Sequence, residues 1–229
     1  MNVSLVTPVN NEAKILEKNI AVISSYVESN VGRDFEHILI DNGSTDETAS
    51  ILRRLSGKDS RIRIIQLPYR TLGESLRLGF MNAKGDYVIW YPIDLAIDLS
   101  YIKNSLSDIK GYDAVIASKD HPKTKLTRPF MRKLSSKVYN LLINLLFNTG
   151  FSDTQCVKTL RREPLQKIVP EVKTNDINFE VELLYRMRKH GLKMLEYPVE
   201  INDTRKDSKI RPLDFVKTAF RLLLLRLRV

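Results

Sequence analysis

Thr7-Pro8-Val9-Asn10-Asn11-Glu12 and Ile40-Asp41-Asn42-Gly43-Ser44-Thr45-Asp46-Glu47-Thr48 decide how this chain folds. Each follows a short apolar run, Val3 to Val6 and His37 to Ile40, of the kind that fills a buried parallel strand, and each opens a helical pattern. Both are strand-to-helix turns on one edge of an open sheet, the edge where such sheets hold ligands. Asp41 closes its strand beside Asn, Gly, Ser and Thr, which tolerate unusual backbone angles and cap helix starts. A carboxylate in that place can pair with a base edge or with ribose hydroxyls; the plainer reading is a loop with a helix cap at Ser44 or Thr45.

Outward from these turns the alternation continues. Lys14 to Glu28 predicts a helix with Ile15, Ile20, Val22, Ile23 and Val27 for its buried face, and Thr45 to Leu55 a second helix. Arg61 to Leu67 reads as a third strand, Leu72 to Asn82 as a helix ending near Gly85, and Tyr87 to Tyr91 as a fourth strand. Strand and helix alternating four times predict an α/β fold with a mostly parallel, Rossmann-like sheet covered on both faces. Short right-handed crossovers put all these turns on one rim.

The chain of 229 residues fits one such domain, residues 1–204, followed by a basic loop and an amphipathic helix over 205–229. From Pro212 the apolar residues Leu213, Val216, Phe220, Leu223, Leu224 and Leu227 recur at steps of three and four, with Lys217, Arg221 and Arg228 on another face. A basic amphipathic helix of this kind suits the plane of an anionic membrane, and otherwise packs on its own domain or on a second subunit. The net charge of +10 implies an anionic partner: nucleic acid, an acidic membrane or a phosphorylated substrate. The single cysteine, Cys156, excludes an internal disulfide framework, suits a reducing compartment and reads as a small buried hydrophobe. No apolar run reaches bilayer-spanning length and the start lacks a basic, cleavable leader, so a cytoplasmic protein is expected.

The two turns make the chain resemble family-2 glycosyltransferases of the A-type fold, above all those that charge polyprenyl phosphates such as dolichol phosphate. The resemblance rests on Pro8-x-x-Asn11-Glu12 and on Asp41-x-Gly43-Ser44-x-Asp46-x-Thr48, with Asn42 where many relatives carry a second Asp. It implies that Pro8, Asn11, Glu12, Asp41 and Gly43 hold the nucleoside of a UDP- or GDP-linked sugar, with Gly73 at the start of the helix beside it. After the fourth strand, Pro92-Ile93-Asp94-Leu95 stands where relatives place an Asp-x-Asp that holds a divalent ion against the donor phosphates. Pro92 replaces the first Asp and Asp94 matches the second, which implies Mg²⁺ or Mn²⁺ held by Asp94 and a catalytic role for it. Asp98 is either a substitute ligand or a cap for the helix near Leu99.

The resemblance reaches further along the chain. Ser118-Lys119 and Arg132 fall at positions that face phosphate in polyprenyl-phosphate transferases, within a basic set that includes Lys123, Lys125, Arg128 and Lys133. Asp153-Thr154-Gln155-Cys156-Val157-Lys158 is similar to an Asp-Thr-Gln-Cys-Gly-Phe-Lys element, with Val157 in place of Gly. It implies Asp153 as the acceptor-side catalytic carboxylate and Gln155 as a sugar contact. Phe179 and Glu180 fall behind the site, and Asp207-Ser208-Lys209-Ile210 resembles a loop whose Lys209 closes over donor phosphates.

Chemistry separates the possible acceptors. A sugar hydroxyl needs an Asp or Glu to take its proton, whereas a lipid phosphate, with a second pKa of about 6, is already ionised and needs cations such as Lys119, Arg128, Arg132 and Lys209. The expected function is inverting transfer from a nucleoside diphosphate sugar to a polyprenyl phosphate at the cytoplasmic face of a membrane, with a membrane partner or a homo-oligomer as an accompanying possibility. The alternatives are transfer to a glycan hydroxyl and non-catalytic binding of nucleotide sugars. A nucleic-acid-binding module accounts for the charge but not for Asp41, Asp94 and Asp153 at turn positions.

Overall fold

The computed structural model describes residues 2–127, 130–202 and 220–228, with the side chains of 125–136 and of 202 outside that description. The chain runs β1 (Val3–Val9), α1 (Ala13–Asn30), β2 (Phe35–Asn42), α2 (Thr48–Ser56), β3 (Ile62–Leu67), α3 (Leu72–Asn82) and β4 (Tyr87–Trp90). It continues through α4 (Ser100–Asp108), β5 (Ala114–Ser118), β6 (Lys125–Thr127), α5 (Phe130–Phe147), β7 (Lys158–Arg161), α6 (Arg162–Ile168), α7 (Phe179–Lys189), β8 (Met194–Pro198) and β9 (Glu200–Asn202). Residues 220–226 form a terminal helix. Arg128, Lys209 and the start of the helix expected from Pro212 lie outside the described residues.

Seven strands pair in the order β3-β2-β1-β4-β7-β5-β8, and β6 pairs with β9 apart from them. The first four strands in sheet order are mutually parallel, as the alternation predicts, and β5 is parallel to β8; β7 runs antiparallel to both its neighbours. Pairing of Val9 with Asp41 brings the ends of β1 and β2 level, so the two turns leave the sheet side by side. Apolar side chains of α1, α2 and α4 fill one face and those of α3, α6 and α7 the other, which is why the central strands are buried almost without alternation. α2 begins at Thr48, later than the pattern predicts: Asp46 turns back to accept the Thr48 amide at 3.0 Å, and Ser44 and Thr45 are spent on the neighbouring turn.

α5 is the largest element that the alternation does not foresee. Tyr139, Ile143 and Phe147 on one side of it form a third apolar cluster with Val181 of α7 and Leu222 and Leu225 of the terminal helix. Val138, Leu141 and Leu145 face outward. Among the described residues no helix is long and apolar enough to cross a membrane.

Polar bonds inside the sheet lock the edge that carries the turns. Thr7 Oγ1 donates to the Tyr91 carbonyl at 2.7 Å and lies 2.9 Å from His37 Nε2. Because the hydroxyl proton is committed to Tyr91, His37 must donate through Nε2, which leaves Nδ1 bare and without a partner in the core. Burial lowers the His37 pKa from 6.5 to about 4. A folded-state value below the unfolded one gives stability that is whole above pH 6.5 and is lost as the pH falls from 6.5 towards 4. Chemical unfolding at pH 7 and pH 4.5 should show a loss from this group of about 2 kcal/mol. Replacing His37 with Gln, which can donate to Thr7 but does not titrate, should remove that part of the pH dependence.

Candidate active site

The two turns are laced to each other before any ligand is considered. Asn11, in a left-handed conformation (φ 56°) that Asn tolerates, accepts the amides of Thr45 at 2.8 Å and Asp46 at 3.3 Å through its side-chain oxygen. In return Ser44 Oγ accepts the Asn11 amide at 3.1 Å, Thr48 Oγ1 accepts that of Glu12 at 2.9 Å, and Asp46 accepts that of Ala13 at 3.3 Å. Asn10 donates to the carbonyls of Asn42 and Gly43 at 2.9 and 3.1 Å. Asp41, buried at the end of β2, accepts the Ser44 amide at 3.1 Å through Oδ1. Asn42 accepts the Thr71 amide at 2.6 Å, a bond for which a neutral amide oxygen suffices, and so ties the loop ahead of α3 to the same turn.

Two glycines allow backbones to meet here. Gly43 has φ +69°, and a Cβ on it would lie 2.6 Å from the Tyr69 carbonyl carbon. Gly73 packs its Cα against Asn175, where a Cβ would come within 2.5 Å of backbone, and its amide donates to the Asn175 carbonyl at 2.9 Å. Arg77, one turn further along α3, holds the segment before α7 through the carbonyls of Val169, Val172 and Thr174. Neither Arg77 nor Asn175 has a signal in the sequence pattern, because each acts across almost a hundred residues.

Asp94 sits half-buried in a tight turn just past β4, where it accepts the Ala96 amide at 3.1 Å and Leu95 takes φ +53°. The turn is pinned on both sides. Asn19 of α1 donates to the Ile93 carbonyl at 2.8 Å, and the Tyr91 hydroxyl donates to the Ile97 carbonyl. Asp98 is exposed and accepts the Ser100 amide at 2.8 Å, the bond of a cap for α4. Among the described residues no three His, Cys, Asp or Glu side chains gather as a metal cage.

On the other side, Lys119 follows β5 directly and its Nζ lies 3.2 Å from Asp153 Oδ2 and 3.1 Å from the Gln155 carbonyl. Asp153 is 1% exposed and both its oxygens are engaged, Oδ1 by the Gln155 amide at 2.9 Å and Oδ2 by the Lys119 amide and ammonium. The Gln155 side-chain amide donates to the Ile177 carbonyl at 3.2 Å. Cys156 is buried, and burial pushes its thiol up to about 11, the inert cysteine expected from the sequence. Ser152 is held by Glu196 of β8, which accepts its amide at 3.0 Å. Arg132 lies on α5 and Lys125 on β6, while Lys123 lines a separate recess of about 200 Å³ with Asp98, Asn104, Tyr197 and Glu200.

The fold therefore brings Pro8, Asn11, Glu12, Asp41 and Gly43 to one turn pair, sets Gly73 against Asn175, and joins Lys119, Asp153 and Gln155 in one cluster. β4 carries Asp94 between them. Residues 4–169 match the family described as "Glycosyl transferase family 2". The chain belongs to this family and is a glycosyltransferase with the A-type fold. It is 32% identical to "Glycosyltransferase AglD" of Haloferax volcanii over 87% of this chain and 33% of that protein, so it spans a third of the length of that relative. It is 26% identical to "Dolichyl-phosphate beta-glucosyltransferase ALG5C" of Trichomonas vaginalis, over 96% of this chain and 69% of that one. Among solved structures it is similar to glucosyl-3-phosphoglycerate synthase of Mycobacterium tuberculosis, crystallised with Mn²⁺, UDP and phosphoglyceric acid, at TM-score 0.71 and 18% identity over 98% of this chain and 78% of that one.

Two substitutions test the turn geometry independently of chemistry. Gly43→Ala forces a Cβ into the Tyr69–Arg70 backbone at a positive φ and should lower unfolding stability by roughly 1–3 kcal/mol. Asp98→Ala removes only a cap and should cost about 1 kcal/mol in the same denaturant titration.

Proposed function

We propose that this chain moves a sugar, with inversion, from a UDP- or GDP-linked donor to a polyprenyl phosphate of the dolichyl type at the cytoplasmic face of a membrane. The observation that carries the reading is the state of Asp153. A base for a hydroxyl acceptor needs an oxygen open to the incoming proton, and this carboxylate is buried with Lys119 on one oxygen and the Gln155 amide on the other. An acceptor phosphate brings its own ionised oxygen and needs cations instead. Lys119, with Arg128 and Arg132 following in the chain, fits that need, and Asp153 then acts by orienting Lys119. The dolichyl-phosphate beta-glucosyltransferases among its relatives support the same acceptor class.

On the donor side, Pro8, Asn11, Glu12, Asp41 and Gly43 take the nucleoside, with Asp41 reading the base edge, Gly73 beside it and Lys209 reaching the phosphates. Asp94 supplies one hard oxygen ligand, which suits Mg²⁺ or Mn²⁺: such ions are held by one or two carboxylates together with substrate phosphates rather than by a protein cage. Bound there, the ion would neutralise charge growing on the leaving diphosphate. With Pro92 in place of a second carboxylate, ion and donor should bind as a linked pair. Gln155 meets the transferred sugar.

Residues 205–229 then serve as a surface segment following the catalytic domain of 1–204. Supporting this, Phe220, Leu223, Leu224 and Leu227 face outward from the terminal helix while Leu222 and Leu225 pack on α5, which itself turns Leu141 and Leu145 to solvent. Arg221, Arg226 and Arg228 are exposed in the same segment, Arg221 with one guanidinium nitrogen 3.0 Å from Asp176, and basic residues among outward apolar ones favour an anionic bilayer surface.

Radiolabelled nucleotide sugars offered with polyprenyl phosphate, unphosphorylated polyprenol and free glycans test the acceptor. Label should enter the organic phase only with the phosphate; transfer to polyprenol or glycan with the phosphate ignored would overturn the proposal. Asp94→Ala should lower turnover by about 10²-fold or more, in the range of a lost electrostatic stabiliser, and should abolish the dependence of donor affinity on Mn²⁺. A Leu141→Ser, Leu145→Ser, Leu227→Ser variant should sediment less with anionic vesicles than the native chain and keep its activity on a short, soluble phosphate acceptor.

A further inference from the structure

Behind the acceptor-side turn lies a buried ion pair that the chemistry described above does not use. Lys158, the first residue of β7, is 1% exposed, and its ammonium pairs with Glu180 in the first turn of α7. The same nitrogen donates to the Cys156 carbonyl at 2.7 Å and stands 5.4 Å from the centre of the Trp90 ring, directly across the β4–β7 ladder. Burial pushes the Glu180 carboxyl above the usual range, and the Lys158 ammonium pulls it back.

Stability alone is a poor reason to keep such a pair. Withdrawing two charges from water offsets much of their attraction, and well-packed apolar residues of similar volume are often as stable or more so. The surroundings are also polar beyond what packing needs. Among the described residues four buried side-chain polar atoms have no partner, and three of them belong to residues that neighbour this pair in the fold or in the chain: Trp90, whose ring faces the Lys158 ammonium, Thr154, two residues before Cys156, and Asn178, two residues before Glu180.

The pair does achieve one geometric result. A single ammonium ties the end of the turn to a strand and to a helix, and the residue just ahead of its Cys156 anchor is Gln155, whose amide caps Asp153 and whose carbonyl takes Lys119. A shift of the Cys156 carbonyl therefore moves both polar groups of the Gln155 backbone and, with them, the carboxylate and cation of the acceptor cluster. The geometry points to Lys158 and Glu180 as a positioning pair that holds the Ser152–Cys156 turn in the arrangement where Asp153 orients Lys119. The inference rests on the reading that this turn faces the acceptor. The pair touches neither donor nor acceptor and acts through the turn.

The test is a Lys158→Met, Glu180→Leu double variant of the full chain, compared with the native chain in melting temperature, donor affinity by titration with the nucleotide sugar, and kcat/KM for polyprenyl phosphate. A positioning role predicts a melting temperature near or above native, donor affinity within twofold, and an acceptor kcat/KM at least tenfold lower. Acceptor kcat/KM within twofold of native would overturn it, as would a fall in donor affinity in proportion. If the double variant does not fold, Glu180→Gln, which keeps shape and a hydrogen-bond acceptor for Lys158, is held to the same split. A native chain that binds donor but transfers to a hydroxyl instead would sink the proposed acceptor, and the same ratios measured with that hydroxyl would then decide the role of the pair.

Discussion

The antiparallel pairing of β7 with β4, Trp90 opposite Lys158, is the constraint on which the rest of the site depends. β4 delivers Asp94 to the carboxyl edge of the parallel strands. Because β7 runs the opposite way, the segment that enters it, Ser152 to Val157, lies at that same edge. A parallel strand in this place would have put Asp153 and Gln155 at the far end of the sheet. β5 on the other side of β7 then adds Lys119 from its own carboxyl end, and Ala117 pairs with the Val157 carbonyl at 3.0 Å to fix the level. One reversal of direction thus brings the Asp94 turn and the Lys119–Asp153–Gln155 cluster to the same edge of the sheet.

The polar residues of the two turns proposed to hold the donor have a structural task first. Asn10, Asn11, Ser44, Asp46 and Thr48 consume one another's donors and acceptors across the β1–β2 edge, which leaves a rigid rim with Asp41 beneath it. Preorganisation of this kind lowers the ordering cost of binding. His37 and Thr7 extend the same lock into the sheet and tie β1 and β2 to Tyr91, three residues ahead of Asp94.

The first half of the fold was legible because its signals are local: apolar runs of strand length, helical spacing, and turn residues in the order the backbone needs. The residues proposed to hold the donor shared that advantage, since Pro8, Asn11, Asp41 and Gly43 lie within short motifs. What stayed hidden acts over long separations. Asn19 on the Ile93 carbonyl, Arg77 on the segment before α7, Lys158 with Glu180 and Glu196 under Ser152 each join elements that no window of sequence contains. Lys158 lies in the stretch likened to the Asp-Thr-Gln-Cys element, but its burial and its partners, Glu180 and the Trp90 ring, appear only once the ladder is formed. α5 escaped the alternation because it follows no strand of the main sheet, and its apolar residues lie on both sides: Ile143 and Phe147 inward, Leu141 and Leu145 outward.

The central claim is that donor and acceptor meet where β4 and β7 end. A crystal structure of the full chain with a UDP- or GDP-sugar and a divalent ion tests it most directly. The expected result is the base against Asp41, the diphosphate at Asp94 and the sugar over the Asp153–Gln155 turn, with Lys119 on its acceptor side. A nucleotide seated elsewhere, such as the recess between Asp98, Lys123 and Glu200, or a sugar directed away from the Asp153 turn, would contradict it.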